Sequence, residues 1–359
     1  MKALPALATT ILVSTLACLP ALAQTPDMQV TAADRQQLVD SLSREVDQRY
    51  VFPDTAKKVA ASLREQQARG AYERITSARQ LAEALTQQMQ ATSGDRHMRV
   101  LYSDQPIPES KPAAAPQPED VSRRLDMARS SNFGVQKVEH LPLNIGYLEL
   151  DGFWRAKDAA ETLAAAMTVL AHTDALIIDL RNNGGGDAGA STLLASYLFD
   201  TRTHLGDFYY REGNRIEQRW SLDVVPGLRY GQKRDVYILT SKDSFSAAED
   251  FAYLLKNLKR ATVVGETTGG GANAGEDVRL LPHFAAFMPL SRLVSPITKT
   301  NWEGVGVTPD LKVCAADALR MAQVTILEKR ATLEQDGARL GELKQRIEEL
   351  NKGKPHCTS

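Results

Sequence analysis

Residues 175–186 read ALIIDLRNNGGG, an apolar run that enters a polar turn of three consecutive glycines. A short apolar run bounded by turn residues describes a strand buried on both faces, as in a parallel sheet. Outward from it the same units recur. Residues 144–152 are strand-like, and 157–170 are Ala-rich and helical. Helix 188–199 follows, then short strands around 207–211 and 216–221. The apolar strand 236–240 runs into helical SAAEDFAYLLKN at 246–257, and strand 261–265 ends in GETTGGGANAG. This alternation implies a largely parallel, layered α/β core.

The chain has 359 residues, 43% of them apolar and 24% charged, which excludes a wholly disordered, collagen-like or multi-span membrane protein. Its 43 basic and 44 acidic residues leave a formal charge of -1, so nothing electrostatic favours nucleic acid or anionic lipid as a partner. Residues 1–23 combine Lys2, an uncharged apolar run and the small-x-small ending Ala21-Leu22-Ala23, the pattern of a signal peptide cleaved after Ala23. A periplasmic or secreted protein without stable membrane insertion is the expectation. Residues 24–105 read as a helical domain, with capping pairs Thr31/Asp34 and Ser77/Gln80 and Pro53 between its first two helices. Residues 106–143 form a Pro/Ala-rich linker and lead-in, 144–313 the α/β core, and 314–359 a helical tail suited to packing or homo-oligomer contact. Export permits a disulfide between Cys314 and Cys357. One straight helix of about 37 residues would hold the thiols roughly 55 Å apart, whereas a hairpin broken at Asp336-Gly337 would bring them together.

Strand C-termini are where α/β cores place ligand sites, and three segments carry unusual residues. The glycines after strand 175–180 leave backbone N–H groups uncovered, as an oxyanion site needs, though a tight turn needs them equally. Ser244 and Ser246 stand at a strand-to-helix junction. A helix N-terminus there favours developing negative charge, and a plain N-cap is the competing role. His97 in GDRHMR closes the helical region, and Glu303 lies in NWEGVGVTPD; neither is distinctive alone. No HExxH, CxxC or Walker pattern points to metal or nucleotide chemistry, and no cofactor is implied.

In order, IIDLRNNGGG, TSKDSFSAAEDF, RATVVGETTGGG and EGVGVTPD resemble the S41 serine peptidases, over roughly residues 30–313. The resemblance implies a ClpP/crotonase-like α/β core behind an N-terminal helical bundle. The processing proteases of that family use a Ser/Lys dyad with Lys 25 positions after Ser; from Ser246 that position is Gly271. The tricorn-like branch uses His and Glu instead, and His97 and Glu303 occupy the matching positions. The spelling is closest to bacterial members similar to retinoid-binding-protein repeats. The resemblance therefore implies Ser246 as nucleophile, His97 as general base and Glu303 as orienting acid. Backbone N–H groups of Ala247 and of Gly184 or Gly185 would form the oxyanion hole. Arg96 and Met98 flank His97 where relatives carry smaller neighbours, so Glu303 must orient the ring directly, through another group or through water.

The expected reaction is hydrolysis of peptides or partly unfolded proteins. Two other readings fit the same residues. One is a non-catalytic module binding an apolar ligand or peptide, for which FAAFMPLSRLV at 284–294 would supply an apolar groove or simply a core strand. The other is an interaction protein assembled through the tail.

Overall fold

The computed structural model describes residues 27–109 and 118–353. The leader with Cys18, most of the Pro/Ala stretch and Cys357 lie outside the described residues. Three helices come first: α1 (Ala32–Arg49), α2 (Pro53–Ala68) and α3 (Ala78–Ser93). Thr31 and Asp34 form the expected reciprocal cap on α1, Pro53 opens α2, and Ser77 accepts from the Gln80 N–H at the start of α3. Each device satisfies N–H groups that a helix start leaves without partners, or omits one of them. Gly94 then stops α3 in the left-handed conformation and turns the chain into β1 (Arg99–Tyr102).

The next elements are α4 (Pro118–Ser130), β2 (Val135–Leu141), β3 (Ile145–Leu150), α5 (Ala156–Leu170), β4 (Ala175–Asp179) and α6 (Ala188–Ser196). They are followed by β5 (His204–Tyr210), β6 (Arg215–Trp220), β7 (Asp235–Thr240), α7 (Ala247–Asn257) and β8 (Thr262–Gly265). The chain continues through β9 (Asn273–Leu281), β10 (Phe284–Val294), β11 (Leu311–Lys312), α8 (Ala315–Leu333) and α9 (Gly337–Lys352). A six-stranded sheet has the order β11-β8-β7-β4-β3-β2, parallel from β11 to β3 with β2 antiparallel at the edge. Its central strand explains the unalternating run at 175–180. Leu176 and Ile178 face the core shared with α5, α6 and α7, while Ala175 and Ile177 face the core that includes Ala318, Ile326 and Leu327 of α8. Both faces are dry, so both parities are apolar.

A second, five-stranded sheet is antiparallel, ordered β1-β10-β5-β6 with β9 on β10. The strand–helix alternation did not announce it. Part of GETTGGGANAG becomes the start of β9 rather than turn, and helix α4 arises within the stretch read as linker and lead-in. The run at 284–294 is β10, whose Phe284, Ala286 and Met288 are buried against α1–α3 together with Val278 and Leu280 of β9. It is a core strand, and one of its residues, Leu293, also lines a small apolar recess. The helices α1–α3 therefore cover the second sheet, and β1 belongs to that sheet.

The tail breaks where Asp336-Gly337 suggested, with Asp336 capping α9. The two helices pack as a hairpin against the main sheet, burying Ala318, Ala322, Ile326, Leu327 and Leu343. Cys314, at the N-cap of α8, is disulfide-bonded. The end of α9 returns alongside α8, so that a Cβ at Gly353 would lie 3.6 Å from Arg320 Cδ. Among the described residues no helix is long and apolar enough to cross a membrane.

Candidate active site

Strand β7 delivers the chain to a tight turn, 241–245, before α7. Ser244 is spent on that turn: it is fully buried, its hydroxyl donates to Leu180 O at 2.7 Å and accepts from Ser241 N–H at 3.0 Å. Ser246 differs. It sits at the N-cap of α7 with φ 55 and ψ -116, a backbone conformation that a residue with a Cβ adopts only under constraint. Its hydroxyl donates to no acceptor among the described residues, and it is half-exposed. What holds the strained turn is Glu249. That buried carboxylate accepts from Ser246 N–H at 2.9 Å, Thr268 Oγ1 at 2.5 Å, Gly270 N–H at 2.6 Å and Gly271 N–H at 2.8 Å. Burial pushes its pKa up, and the four donors oppose that. Glu249 was legible as the fourth position of an S-x-x-E cap at 246–249 and went unread.

The glycine turn lies directly against this elbow. Asn183, wholly buried, donates Nδ2 to Leu150 O at 2.9 Å, accepts Gly185 N–H on Oδ1 at 2.8 Å, and its carbonyl accepts from Phe245 N–H at 3.0 Å. One residue, through its side chain and its carbonyl, thus ties β3, the glycine turn and the elbow together. It also corrects an expectation: the Gly185 N–H is committed to Asn183 and does not point to an oxyanion. Gly185 contributes by lacking a side chain. Its φ is +104, and a Cβ there would stand 2.7 Å from Ser246 Cβ and 3.0 Å from Ala247 N. Among the described residues the N–H groups of Gly184 and Ala247 meet no backbone or side-chain acceptor, and neither does that of Gly186, which lines the cleft beside Ser246. That cleft is otherwise walled by Ala188, Phe208, Ala272, Leu293 and Trp302, a small apolar recess.

His97 approaches from the other sheet, on the short connection between α3 and β1. It is 6% exposed, and its ring packs on Phe245 at 4.7 Å and Phe287 at 5.7 Å between centroids. Arg96 fastens this connection to the elbow, donating Nη1 to Gly269 O at 2.7 Å with its guanidinium over the Phe245 ring. No hydrogen bond joins His97 to Ser246 among the described residues. The Phe245 ring packs on the imidazole instead.

Two carboxylates flank His97. Glu303 is positioned by its turn: Trp302 Nε1 donates to Gly271 O at 2.9 Å, Gly304 N–H to Gly270 O at 2.9 Å, and Asn301 Oδ1 accepts Glu303 N–H at 3.1 Å. Glu303 Oε2 accepts from Ala272 N–H at 2.6 Å and Asn273 N–H at 3.2 Å, and its Oε1 is buried without a partner. The second carboxylate, Asp95, was not singled out from the sequence, although its D-x-H spacing places it beside the imidazole. It is 1% exposed and accepts from His97 N–H, Tyr50 Oη and Asn273 Nδ2 at 2.9, 3.0 and 2.9 Å. One ligand atom from each of Asp95, His97 and Glu303 lies within 4.8 Å of the other two. Burial, and then repulsion from Asp95, pushes Glu303 up to about 8. Burial lowers the His97 pKa, with Arg99 and Arg96 acting in the same direction and Asp95 against it. A neutral imidazole at neutral pH is the consequence.

A curated relative, carboxyl-terminal-processing peptidase 2 (chloroplastic) of Arabidopsis thaliana, is 27% identical over 168 residues, 46% of this chain and 31% of that protein. The chain thus spans about a third of the length of the curated relatives it matches. A lipoprotein from Streptococcus agalactiae superposes with a TM-score of 0.54 at 13% identity, covering 87% of this chain and all (100%) of the other. The tricorn protease superposes with a TM-score of 0.50 at 14% identity, covering 89% of this chain and 37% of its own. These likenesses speak for the fold, the layered ClpP/crotonase-like α/β arrangement. The model of the N-terminal domain of Peptidase_S41 in eukaryotic interphotoreceptor retinoid-binding protein matches residues 20–131, and that of peptidase family S41 matches residues 144–313, so the chain belongs to peptidase family S41.

Proposed function

We propose that this chain is an exported serine endopeptidase, acting through an acyl-enzyme at Ser246 on peptides or partly unfolded proteins. The observation that carries the reading is Ser246 itself. A serine held at φ 55 at a helix N-terminus, hydroxyl undonated, beside a glycine turn and a cleft, is a costly arrangement with no packing return. In this reading neutral His97 accepts the Ser246 proton through Nε2, and Glu303, in its ionised form and once closed on Nδ1, holds the opposite side of the ring and stabilises imidazolium. Ala247 N–H and the Gly184 N–H, with Gly186 as a further donor, receive the oxyanion. His97 must close on Ser246 as substrate enters, since the two are not hydrogen-bonded at rest; such bonds often tighten only in the complex. Export and a periplasmic or secreted location are supported by the leader-like residues 1–23.

Cleavage of a quenched fluorescent casein by the mature chain and by Ser246→Ala tests the proposal. We expect the variant to fold, by circular dichroism, and to lose at least about 10³-fold in turnover. A fluorophosphonate that labels the wild type but not the variant is the companion result. No labelling and no cleavage would favour a binding module instead, which would tolerate Ser246→Ala.

A further inference from the structure

The carboxylates beside His97 pose a question that the proposed mechanism does not answer. His97 Nδ1, Glu303 Oε1 and Asn273 Oδ1 are all buried and have no hydrogen-bond partner among the described residues. Asn273 touches both carboxylates, donating Nδ2 to Asp95 and its backbone N–H to Glu303. Unpartnered buried polar atoms are costly, and two of these belong to His97 and Glu303, whose ligand atoms cluster with one of Asp95 within 4.8 Å. Protein hydrogen bonds do not supply it: Nδ1 stands 3.9 Å from Asp95 Oδ1, too far for a hydrogen bond. Two ligands on one tetrahedral zinc, with bonds of roughly 2 Å, lie about 3.3 Å apart, so these two atoms would have to approach by about half an ångström.

We propose that Asp95, His97 and Glu303 form a site for a divalent transition-metal ion, with zinc the best fit, and that its occupancy switches the peptidase off. The donor set is one imidazole and two carboxylates, the mixed N/O set that zinc accepts. A doubly charged ion would balance the negative charge of Asp95 and of Glu303 in its ionised form. Asp95 keeps spare acceptor capacity although three N–H or O–H groups already donate to it. The widest separation, at most 4.8 Å, must shorten by up to about 1.5 Å, and a fourth position is left to water. The switch follows from the two ring nitrogens. A metal on Nδ1 occupies that lone pair, so the ring proton sits on Nε2. Nε2 then has no lone pair with which to take the Ser246 proton. This inhibitory consequence rests on His97 as the base; metal binding itself does not.

Binding is therefore measured where activity plays no part. The metal-free Ser246→Ala protein is titrated with Zn²⁺ against a chromophoric chelator. We expect one ion per chain, bound at least about tenfold more weakly after Asp95→Asn and not at this site after His97→Ala. No uptake, or uptake unchanged by both substitutions in proteins with native circular dichroism, overturns the proposal. Glu303→Gln is the second ligand variant, should either fail to fold. In the active chain, Zn²⁺ is expected to suppress casein cleavage and chelator to restore it. Zinc that binds at the cluster and leaves cleavage unchanged overturns the switch. A chain that binds zinc but never cleaves would instead count against the peptidase reading.

Discussion

At the scale of single residues the site is built from absences as much as from functional groups. Gly271 stands where a Cβ would lie 2.2 Å from Phe245 Cζ and 2.7 Å from His97 Cε1. Gly271→Ala must push both rings, with little call on the rest of the core. We expect kcat/KM to fall by about a hundredfold while thermal stability changes little, since misplacing a base by an ångström has that effect. Equal activity in the variant would mean that displacing the ring does not hinder its closing on Ser246, which would count against His97 as the base. Gly185→Ala acts on the other side, crowding Ala247 N–H and straining a backbone at φ +104. Its expected loss is about 10²–10³-fold in kcat, that of a missing oxyanion donor, read by steady-state kinetics.

Helix α7 and the loop at 265–275 are coupled through one carboxylate, and the prediction at the scale of elements concerns Glu249. Its four donors come from the helix cap, a threonine and two loop glycines. Glu249→Ala would leave those buried groups without an acceptor, at a cost of about 3 kcal/mol or more. The measurement is chemical denaturation, and a change below 1 kcal/mol (roughly the noise of surface substitutions) would show that water replaces the carboxylate. A comparable tie joins β6 to α7, where Arg219 makes a bidentate pair with Asp250 at 2.7 Å for each bond, both side chains buried. Removing one member leaves the other charge uncompensated, so Arg219→Ala should destabilise by about 3–5 kcal/mol, checked in the same way.

Across the whole molecule the candidate catalytic groups belong to different cores. Ser246 stands at the start of a helix packed in the core of the main sheet, while His97 hangs from the core that α1–α3 share with β9 and β10. Loosening the second core should then disturb catalysis before it unfolds the first. Leu42→Ala, at a fully buried position in α1, is expected to cost about 2–5 kcal/mol. We expect cleavage to fail at a lower temperature than the circular dichroism of the main sheet. Coincident loss would show that the two cores melt as one unit.

The main sheet was legible in the chain because its determinants are local. Unalternating apolar runs, glycine turns and capping pairs each act within a few residues, and the break at Asp336-Gly337 is of the same kind. Ser246 could be read as a helix start for the same reason. The antiparallel sheet was legible only in part: β5 and β6 were read as short strands, but the pairings that join β10 to β1 and to β5 reach across the chain and no local pattern encodes them. Tertiary structure alone decided which serine is free, since Ser244 is spent on Leu180 and Ser246 is not. It also decided which glycine N–H is committed, through Asn183, and that Asp95 joins Glu303 beside His97. Burial and the approach of distant segments set these charges and hydrogen bonds, and neither exists until the chain has folded.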